Sequence, residues 1–187
     1  MPRFLHVLVC FVVAGAIAVG CGSDEPESAA PSQEATRAAL KGSPAPLAAL
    51  HAQANELLDG GPEGFRERLD ELKGYPIVVN KWGSWCGPCR EELPYFQRQA
   101  VKHGKRIAFL GVDVQESKDQ GRGLLEDFPV SYPSYWDPRL TISAVFNGVA
   151  GTPATAFYDS KGELAYLRQG AYLSERDLAE DIRRYAR

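Results

Sequence analysis

The chain has 187 residues, of which 44% are hydrophobic and 24% are charged, and its formal net charge is −3. These values are ordinary for a globular protein, and the length suffices for one hydrophobic core but hardly for two. Nucleic-acid-binding proteins normally carry a surplus of basic residues, so we expect no nucleic-acid partner. Composition alone indicates one globular domain.

The first 20 residues have the pattern of a secretory signal. Arg3 supplies a positive start, and residues 4–19 are almost uninterruptedly apolar. This run is shorter than the about 20 residues of a comfortable membrane span and fits the apolar region of a signal peptide better. It ends in small residues before Cys21, which resembles the lipobox of bacterial lipoproteins, although Ala18 stands where that pattern prefers Leu. We expect a signal peptide at 1–20 and a lipidated Cys21, with an uncleaved signal anchor as the alternative.

Four cysteines are present, and cleavage before Cys21 would change what they can do. Cys10 would leave with the signal and Cys21 would carry lipid, so Cys86 and Cys89 would remain for thiol chemistry. A bridge across so short a loop removes little entropy from the unfolded chain. In an exported protein this pair is therefore predicted to be redox-active rather than a structural staple.

Hydrophobic spacing predicts the order of the elements. Residues 22–42 are rich in Ser, Ala, Pro and Glu and are predicted to be a flexible tether, which leaves 43–187 as the folded domain. Helical spacing or start signals mark residues 47–58, 65–72, 89–104, 124–128, a helix beginning at Asp137, and one after Ser174. Extended runs lie at residues 77–79, 107–112, 132–136, 154–158 and 163–168, the last two as a hairpin. Strands alternating with helices predict an α/β sheet that is covered on both faces.

The Cys-x-x-C pair falls between a predicted strand and a predicted helix. Cys86 would lie at the helix N-terminus, where unpaired backbone N–H groups and the helix dipole favour the thiolate. Cys89 would follow one helical turn later and lie deeper. We therefore predict that Cys86 attacks a substrate disulfide and that Cys89 resolves the mixed disulfide.

Segment 82–90, which reads WGSWCGPCR, resembles the active-site stretch of thioredoxin-fold proteins. It is more similar to the membrane-tethered TlpA/ResA family of thiol–disulfide oxidoreductases, and the likeness covers about residues 73–187. Residues 151–153 (Gly-Thr-Pro) match the cis-proline loop of that family. The resemblance implies a thioredoxin-like α/β fold, with a central mixed β-sheet flanked by helices, extra N-terminal helices and a central insertion at about 113–136.

The resemblance also implies residue roles. Pro153 would be a cis-proline facing the dithiol, and Thr152 would pair with the substrate chain as an added strand does. Glu92 matches a carboxylate that the family places near the dithiol, where it would move a proton to or from Cys89; the alternative is a surface helix residue. Further substrate contacts are expected at Trp85, Gly87 and Pro88.

Two residues depart from the patterns that they otherwise match. Asn80 stands where thioredoxin has a buried aspartate, a feature shared with the TlpA/ResA group. Lys81 occupies a position that is usually aromatic in that group. Our hypothesis from the sequence is that Lys81 keeps the active-site thiolate or Glu92 charged.

The Gly-Pro pair between the cysteines resembles reducing thioredoxins, which predicts a disulfide reductase. As the family implies, its substrates would be exported proteins, with apocytochrome c the leading precedent, and its electrons would come from a transmembrane thiol-carrying protein. We expect a monomer, lipid-anchored at the extracytoplasmic face of a bacterial membrane. The alternatives are a dithiol oxidase or isomerase, and a non-catalytic binding lipoprotein on a thioredoxin scaffold.

The sequence gives little support for a metal site or for peroxidase activity. A zinc site needs four ligands, and outside the signal His51 and His103 are the histidines available besides the two cysteines. Nothing resembles a peroxidatic cysteine motif. We therefore expect no metal and no cofactor other than the Cys86–Cys89 disulfide itself.

Overall fold

The computed structural model describes Met1 and residues 30–187, so the predicted signal peptide, Cys10 and Cys21 lie outside the described residues. The helices of the described part are α1 Gln33–Leu40, α2 Ala45–Ala52, α3 Gly61–Glu71, α4 Gly87–His103, α5 Lys118–Asp127 and α6 Glu175–Tyr185, with a 3₁₀ helix at Ser143–Phe146. Its strands are β1 Leu57–Leu58, β2 Ile77–Trp82, β3 Ala108–Val114, β4 Ser134–Asp137, β5 Ala154–Tyr158 and β6 Leu164–Gln169. None of the helices in this part is long and apolar enough to cross a lipid bilayer.

The strands form one mixed sheet in the order β1-β4-β3-β2-β5-β6. The first four of these are parallel, and β5 and β6 are antiparallel to their neighbours. Two apolar clusters cover its faces: one contains residues of α4, α5 and α6, and the other contains residues of α2, α3 and the 3₁₀ helix. The predicted α/β fold with helices on both faces is confirmed.

Strand β2 lies inside the sheet, and all six of its residues are buried. Because side chains alternate along a strand, Ile77 and Val79 enter the cluster beneath α2 and α3, whereas Val78 and Trp82 enter the cluster beneath α4 and α6. The chain then passes from β2 directly to the cysteines at the start of α4. A fully buried interior strand therefore positions the dithiol.

The predicted tether is wrong over its second half. Helix α1 lies within residues 22–42, and the side chain of Ser32 accepts a hydrogen bond from the backbone N–H of Ala35 at its start. Leu40, at its end, is buried, and α1 contacts α4. The described structure thus begins before residue 43, because one buried leucine and a helix cap hold a segment whose composition is otherwise that of a linker.

Two further element predictions are corrected. The helix predicted over 47–58 ends at Ala52, and Leu57–Leu58 instead forms β1. Asn55 has a left-handed backbone with φ of 65° and turns the chain between them, and its side-chain NH₂ donates to the backbone oxygen of Leu125. No helix begins at Asp137: this residue ends β4, and its carboxylate accepts hydrogen bonds from both the N–H and the hydroxyl of Ser143.

Phe65 tests whether α3 belongs to the core. Its ring is fully buried and meets Tyr135 edge-on, with ring centroids 5.5 Å apart. We predict that Phe65→Ala lowers the free energy of unfolding by about 3–5 kcal/mol in urea titrations, because it leaves a cavity. The control is Arg66→Ala on the exposed side of the same helix, which should change it by less than about 0.5 kcal/mol. A loss below about 1 kcal/mol for Phe65→Ala would contradict this packing.

Candidate redox active site

Cys86 and Cys89 are joined by a disulfide at the start of α4, with an S–S distance of 2.04 Å. Cys86 is the N-cap of the helix, and its sulfur accepts a hydrogen bond from the backbone N–H of Cys89 at 3.3 Å. The exposed fraction is 5% for Cys86 and 0% for Cys89. The predicted geometry is confirmed: the first cysteine caps the helix and is the more accessible of the two.

The segment before Cys86 is held by the end of β3. The backbone N–H of Ser84 donates to the Glu116 carboxylate at 2.6 Å, and the Ser84 hydroxyl donates to its other oxygen. The indole N–H of Trp85 donates to the carbonyl of Val114 at 3.2 Å. Trp85 nevertheless remains 53% exposed, so an apolar ring lies at the surface beside the disulfide. The role of Glu116 has no signal in the sequence, because its contact spans 32 residues.

Pro153 lies at the same edge of the sheet as the dithiol. Strands β2 and β5 are antiparallel with Lys81 opposite Ala154, so the residue before β5 is next to the end of β2. The Thr152–Pro153 peptide bond is cis, as predicted. Pro153 is buried and Thr152 is half-buried, whereas Gly87 and Pro88 at the start of α4 are exposed. The structure therefore brings all the predicted substrate-contact residues to one edge of the sheet.

Glu92 is fully buried one helical turn after Cys89, so the alternative of a surface helix residue is wrong. Its Oε2 accepts a hydrogen bond from the backbone N–H of Tyr172 at 2.9 Å. Burial raises the pKa of Glu92 to about 8, although the Tyr172 N–H and the positive charge of Arg168 act in the opposite direction. Its described hydrogen bond goes to the loop before α6 rather than to a sulfur, and its role in proton transfer stays a prediction.

Lys81 is also buried, with an exposed fraction of 1%. Its ammonium donates to the carbonyls of Gly148 and Gly151, at 2.7 Å each. Burial lowers the pKa of Lys81, and the negative charge of Asp137 opposes that effect. These contacts do not support our hypothesis that Lys81 keeps the thiolate or Glu92 charged, because its hydrogen bonds go to the loop before Pro153.

A second buried carboxyl group lies across from Trp82, in the register of β2 and β3. Burial raises the pKa of this residue, Asp113, to about 9, and the nearby carboxylates of Glu116 and Asp137 reinforce the shift. Asp113 stays protonated at neutral pH, which lowers the cost of burying it. Within the described part of the chain, no group of three or more His, Cys, Asp or Glu side chains is placed to hold a metal ion.

A helix-capping dithiol after the central strand of a mixed sheet, with a cis-proline beside it, defines a thioredoxin-fold protein. The profile of the AhpC/TSA family matches residues 42–167, and the chain belongs to this family. The resemblance to TlpA/ResA proteins is likewise confirmed, because several similar proteins are named ResA.

Two similar proteins are both named thiol-disulfide oxidoreductase ResA. The Bacillus subtilis (strain 168) protein is 30% identical over 109 residues, which cover 57% of this chain and 60% of the relative. The Geobacillus kaustophilus (strain HTA426) protein is 29% identical over 114 residues, which cover 60% of this chain and 65% of the relative. The chain thus matches somewhat less than two thirds of the length of these relatives.

Solved structures show the same fold. The crystal structure of a DsbF homologue from Corynebacterium diphtheriae superposes with a TM-score of 0.57 and is 28% identical. The superposition covers 62% of this chain and 75% of that chain. The predicted thioredoxin-like fold is confirmed.

Glu92→Gln tests the buried carboxyl group. In the folded protein Glu92 holds its proton up to a pH of about 8, whereas the unfolded chain releases it near the ordinary value of 4.5. Below that window both states are protonated, and within it unfolding releases a proton, so the Glu92 contribution to stability falls as the pH rises. Gln cannot ionise. We predict that the free energy of unfolding of Glu92→Gln, taken relative to that of the wild type, rises by roughly 1 kcal/mol per pH unit across this window.

The measurement is the free energy of unfolding in urea at several pH values between 4.5 and 9. The control is Glu91→Gln, which removes an exposed carboxylate from the same turn of α4. A difference between Glu92→Gln and the wild type that stays constant from pH 5 to 8 would show that Glu92 is charged in the folded state, contrary to this account.

Proposed function

We propose that this protein is a thiol–disulfide oxidoreductase that reduces disulfides in exported proteins through Cys86 and Cys89. The observation that carries the proposal is the position of the Cys86 sulfur at the first turn of α4, where it accepts the backbone N–H of Cys89 at 3.3 Å. A backbone donor and the helix dipole stabilise a thiolate more than a thiol. The thiolate is the form that attacks a disulfide.

The reduced dithiol is the reactive form in this scheme. The Cys86 thiolate attacks one sulfur of the substrate disulfide, which forms a mixed disulfide and releases the other substrate sulfur as a thiolate. Cys89 then loses its proton and attacks the Cys86 sulfur. The substrate leaves with both sulfurs reduced, and two electrons have passed to it from the protein, which ends in the Cys86–Cys89 disulfide form.

Glu92 is the proposed acceptor for the Cys89 proton. It lies one turn beyond Cys89 on the same helix and is fully buried. Its pKa of about 8 is close to neutral pH, so a minority of the molecules carry ionised Glu92 there, and this form accepts the proton and later releases it. An exposed glutamate of ordinary pKa would remain ionised and would bind that proton poorly.

The substrate is proposed to bind across the edge of the sheet that carries the dithiol. Trp85 offers an exposed apolar ring, and Gly87 and Pro88 leave the start of α4 open. Thr152, beside the buried Pro153, would pair with an extended substrate segment through its backbone. A binding mode of this kind uses main-chain hydrogen bonds and therefore accepts segments of varied sequence.

The cellular setting of the proposal rests on the amino-terminal sequence and on the family resemblance. The apolar run before Cys21 supports a signal peptide, a lipid anchor on that cysteine, and a location at the extracytoplasmic face of a bacterial membrane. An exported reductase has to be reduced again across the membrane, which calls for a transmembrane thiol-carrying donor. Apocytochrome c is the proposed substrate because it is the leading precedent in the TlpA/ResA group.

The equilibrium potential of the dithiol tests the direction of the reaction. We predict a potential close to that of thioredoxin, which is about −270 mV, and far from that of DsbA, which is about −120 mV. Full-length protein is equilibrated with dithiothreitol redox buffers, and the fluorescence of Trp82 and Trp85 beside the pair reports reduction. A value near −120 mV would favour a dithiol oxidase instead.

Capture of a mixed disulfide tests the activity itself. We predict that Cys89→Ser accumulates a covalent adduct with a disulfide-containing protein such as insulin, because Cys86 can attack and the adduct is not resolved. Cys86→Ser is the matched control, and it should form none because Cys89 is fully buried. Absence of an adduct for Cys89→Ser, together with no reduction of insulin by the wild type, would favour a non-catalytic binding protein.

A further inference from the structure

Lys81 is a buried cation that the proposed reaction does not use. It lies on β2, and by the alternation of that strand it belongs to the face that carries Ile77 and Val79, opposite to the face of Trp82. An ammonium group is costly to bury unless its N–H groups find acceptors. Here two of its three N–H groups bind backbone carbonyls, those of Gly148 and Gly151, at 2.7 Å each.

Both acceptors belong to the loop that leads to the cis-proline. The 3₁₀ helix ends at Phe146 and is followed by Asn147, which has a left-handed backbone with φ of 59°, and β5 begins at Ala154. Gly148 packs so closely against Phe146 that a Cβ there would overlap the Phe146 ring. Val149 is 51% exposed, so the middle of the loop turns outward between the two carbonyls that Lys81 binds.

The segment between β4 and β5, residues 138–153, is also held by the buried carboxylate of Asp137. Asp137 accepts the N–H and the hydroxyl of Ser143, at 2.8 Å each, at the first residue of the 3₁₀ helix. Asp137 and Lys81 also attract each other. The segment between β4 and β5 is thus fastened at its start by a carboxylate and at its end by an ammonium group, both of which belong to strands of the sheet.

We propose that Lys81 is a positioning residue whose ammonium group clamps residues 148–151 and thereby presents Thr152 and Pro153 to the substrate chain. The proposal rests on the proposed function and adds the residue that orders its substrate-binding loop. An aromatic residue, which the TlpA/ResA group usually has at this position, offers no donor for the two carbonyls.

The clamp has a consequence that separates two kinds of substrate. A polypeptide disulfide that pairs with Thr152 needs the loop in place, so loosening the loop weakens its binding. A small disulfide that reaches Cys86 without strand pairing does not need the loop. Loss of the Lys81 ammonium group should raise KM for the polypeptide and leave the reaction with the small disulfide nearly unchanged.

The test compares Lys81→Met with Lys105→Met, which removes an exposed lysine distant in sequence from the loop. Within residues 148–152 the protected amide is that of Gly148, whose N–H donates to the Ser143 carbonyl at 2.8 Å. In the full-length chain, hydrogen–deuterium exchange at this amide should rise about tenfold for Lys81→Met, because the loop opens more often, and stay at the wild-type level for Lys105→Met. KM for insulin should also rise about tenfold, whereas the rate with the small aromatic disulfide 5,5′-dithiobis(2-nitrobenzoic acid) should change less than about twofold.

Lys81→Gln is the second variant, and it serves also if Lys81→Met does not fold. The Gln side chain is one bond shorter than that of Lys, but its NH₂ group can still donate a hydrogen bond. The exchange of residues 148–152 and the KM for insulin in Lys81→Gln should therefore lie between the values for Lys105→Met and those predicted for Lys81→Met. Unchanged exchange at 148–152 in the folded variants would overturn the clamp. Equal losses with insulin and with the small disulfide would overturn the positioning role.

The exchange measurement does not depend on catalysis. If the wild type reduces neither disulfide, the proposed function fails, and the exchange of residues 148–152 still decides whether Lys81 holds the loop. If the wild type reduces both and Lys81→Met behaves as Lys105→Met does, the clamp fails and the proposed function stands.

Discussion

The contact between the Cys86 sulfur and the first turn of α4 is the interaction on which the rest of the site depends. Its acceptor atom is the sulfur that caps the helix, and its donor is the backbone N–H of Cys89, the cysteine that would later resolve the mixed disulfide. A negative charge on that sulfur is stabilised by backbone N–H groups of the first helical turn and by the helix dipole, so no charged side chain has to do this. Strand β2, buried along its whole length, fixes where this helix begins. The antiparallel pairing of β2 with β5 then brings Pro153 to the same edge of the sheet.

Around the dithiol, buried ionisable side chains hold the loops of the active edge. Glu116 binds Ser84 in the segment before the cysteines, Lys81 binds the loop before Pro153, and Glu92 binds Tyr172 in the loop before α6. In each case a carboxyl or ammonium group meets a backbone N–H or carbonyl from a distant part of the chain. Burying these groups costs free energy, which the hydrogen bonds offset in part. These hydrogen bonds act beside the apolar packing of the core, which in the loop before α6 includes the buried ring of Tyr172.

The sequence predicts the parts of this site that depend on local spacing. The placement of Cys86 and Cys89 at a helix start follows from the strand before them, and the hairpin of β5 and β6 follows from its turn residues. The cis form at Pro153 followed from the family resemblance. Long-range contacts were not predictable in the same way: the partners of Lys81 lie 67 and 70 residues away, and that of Glu92 lies 80 residues away. Helix α1 was missed because Leu40 is its one buried residue, which leaves almost no hydrophobic pattern. Strand β1 was missed because it has two residues, too few for an alternating pattern.

The measurement that tests this account most directly is the pH dependence of alkylation at Cys86. The reduced full-length chain is treated with iodoacetamide at a series of pH values, and mass spectrometry identifies which cysteine has reacted. The same chain unfolded in urea provides the free-thiol reference. If a helix N-terminus stabilises the thiolate, the folded protein will react at Cys86 with a midpoint well below that of the unfolded chain, while Cys89 stays unmodified. A midpoint no lower than in urea, or reaction at Cys89 first, would contradict the central claim.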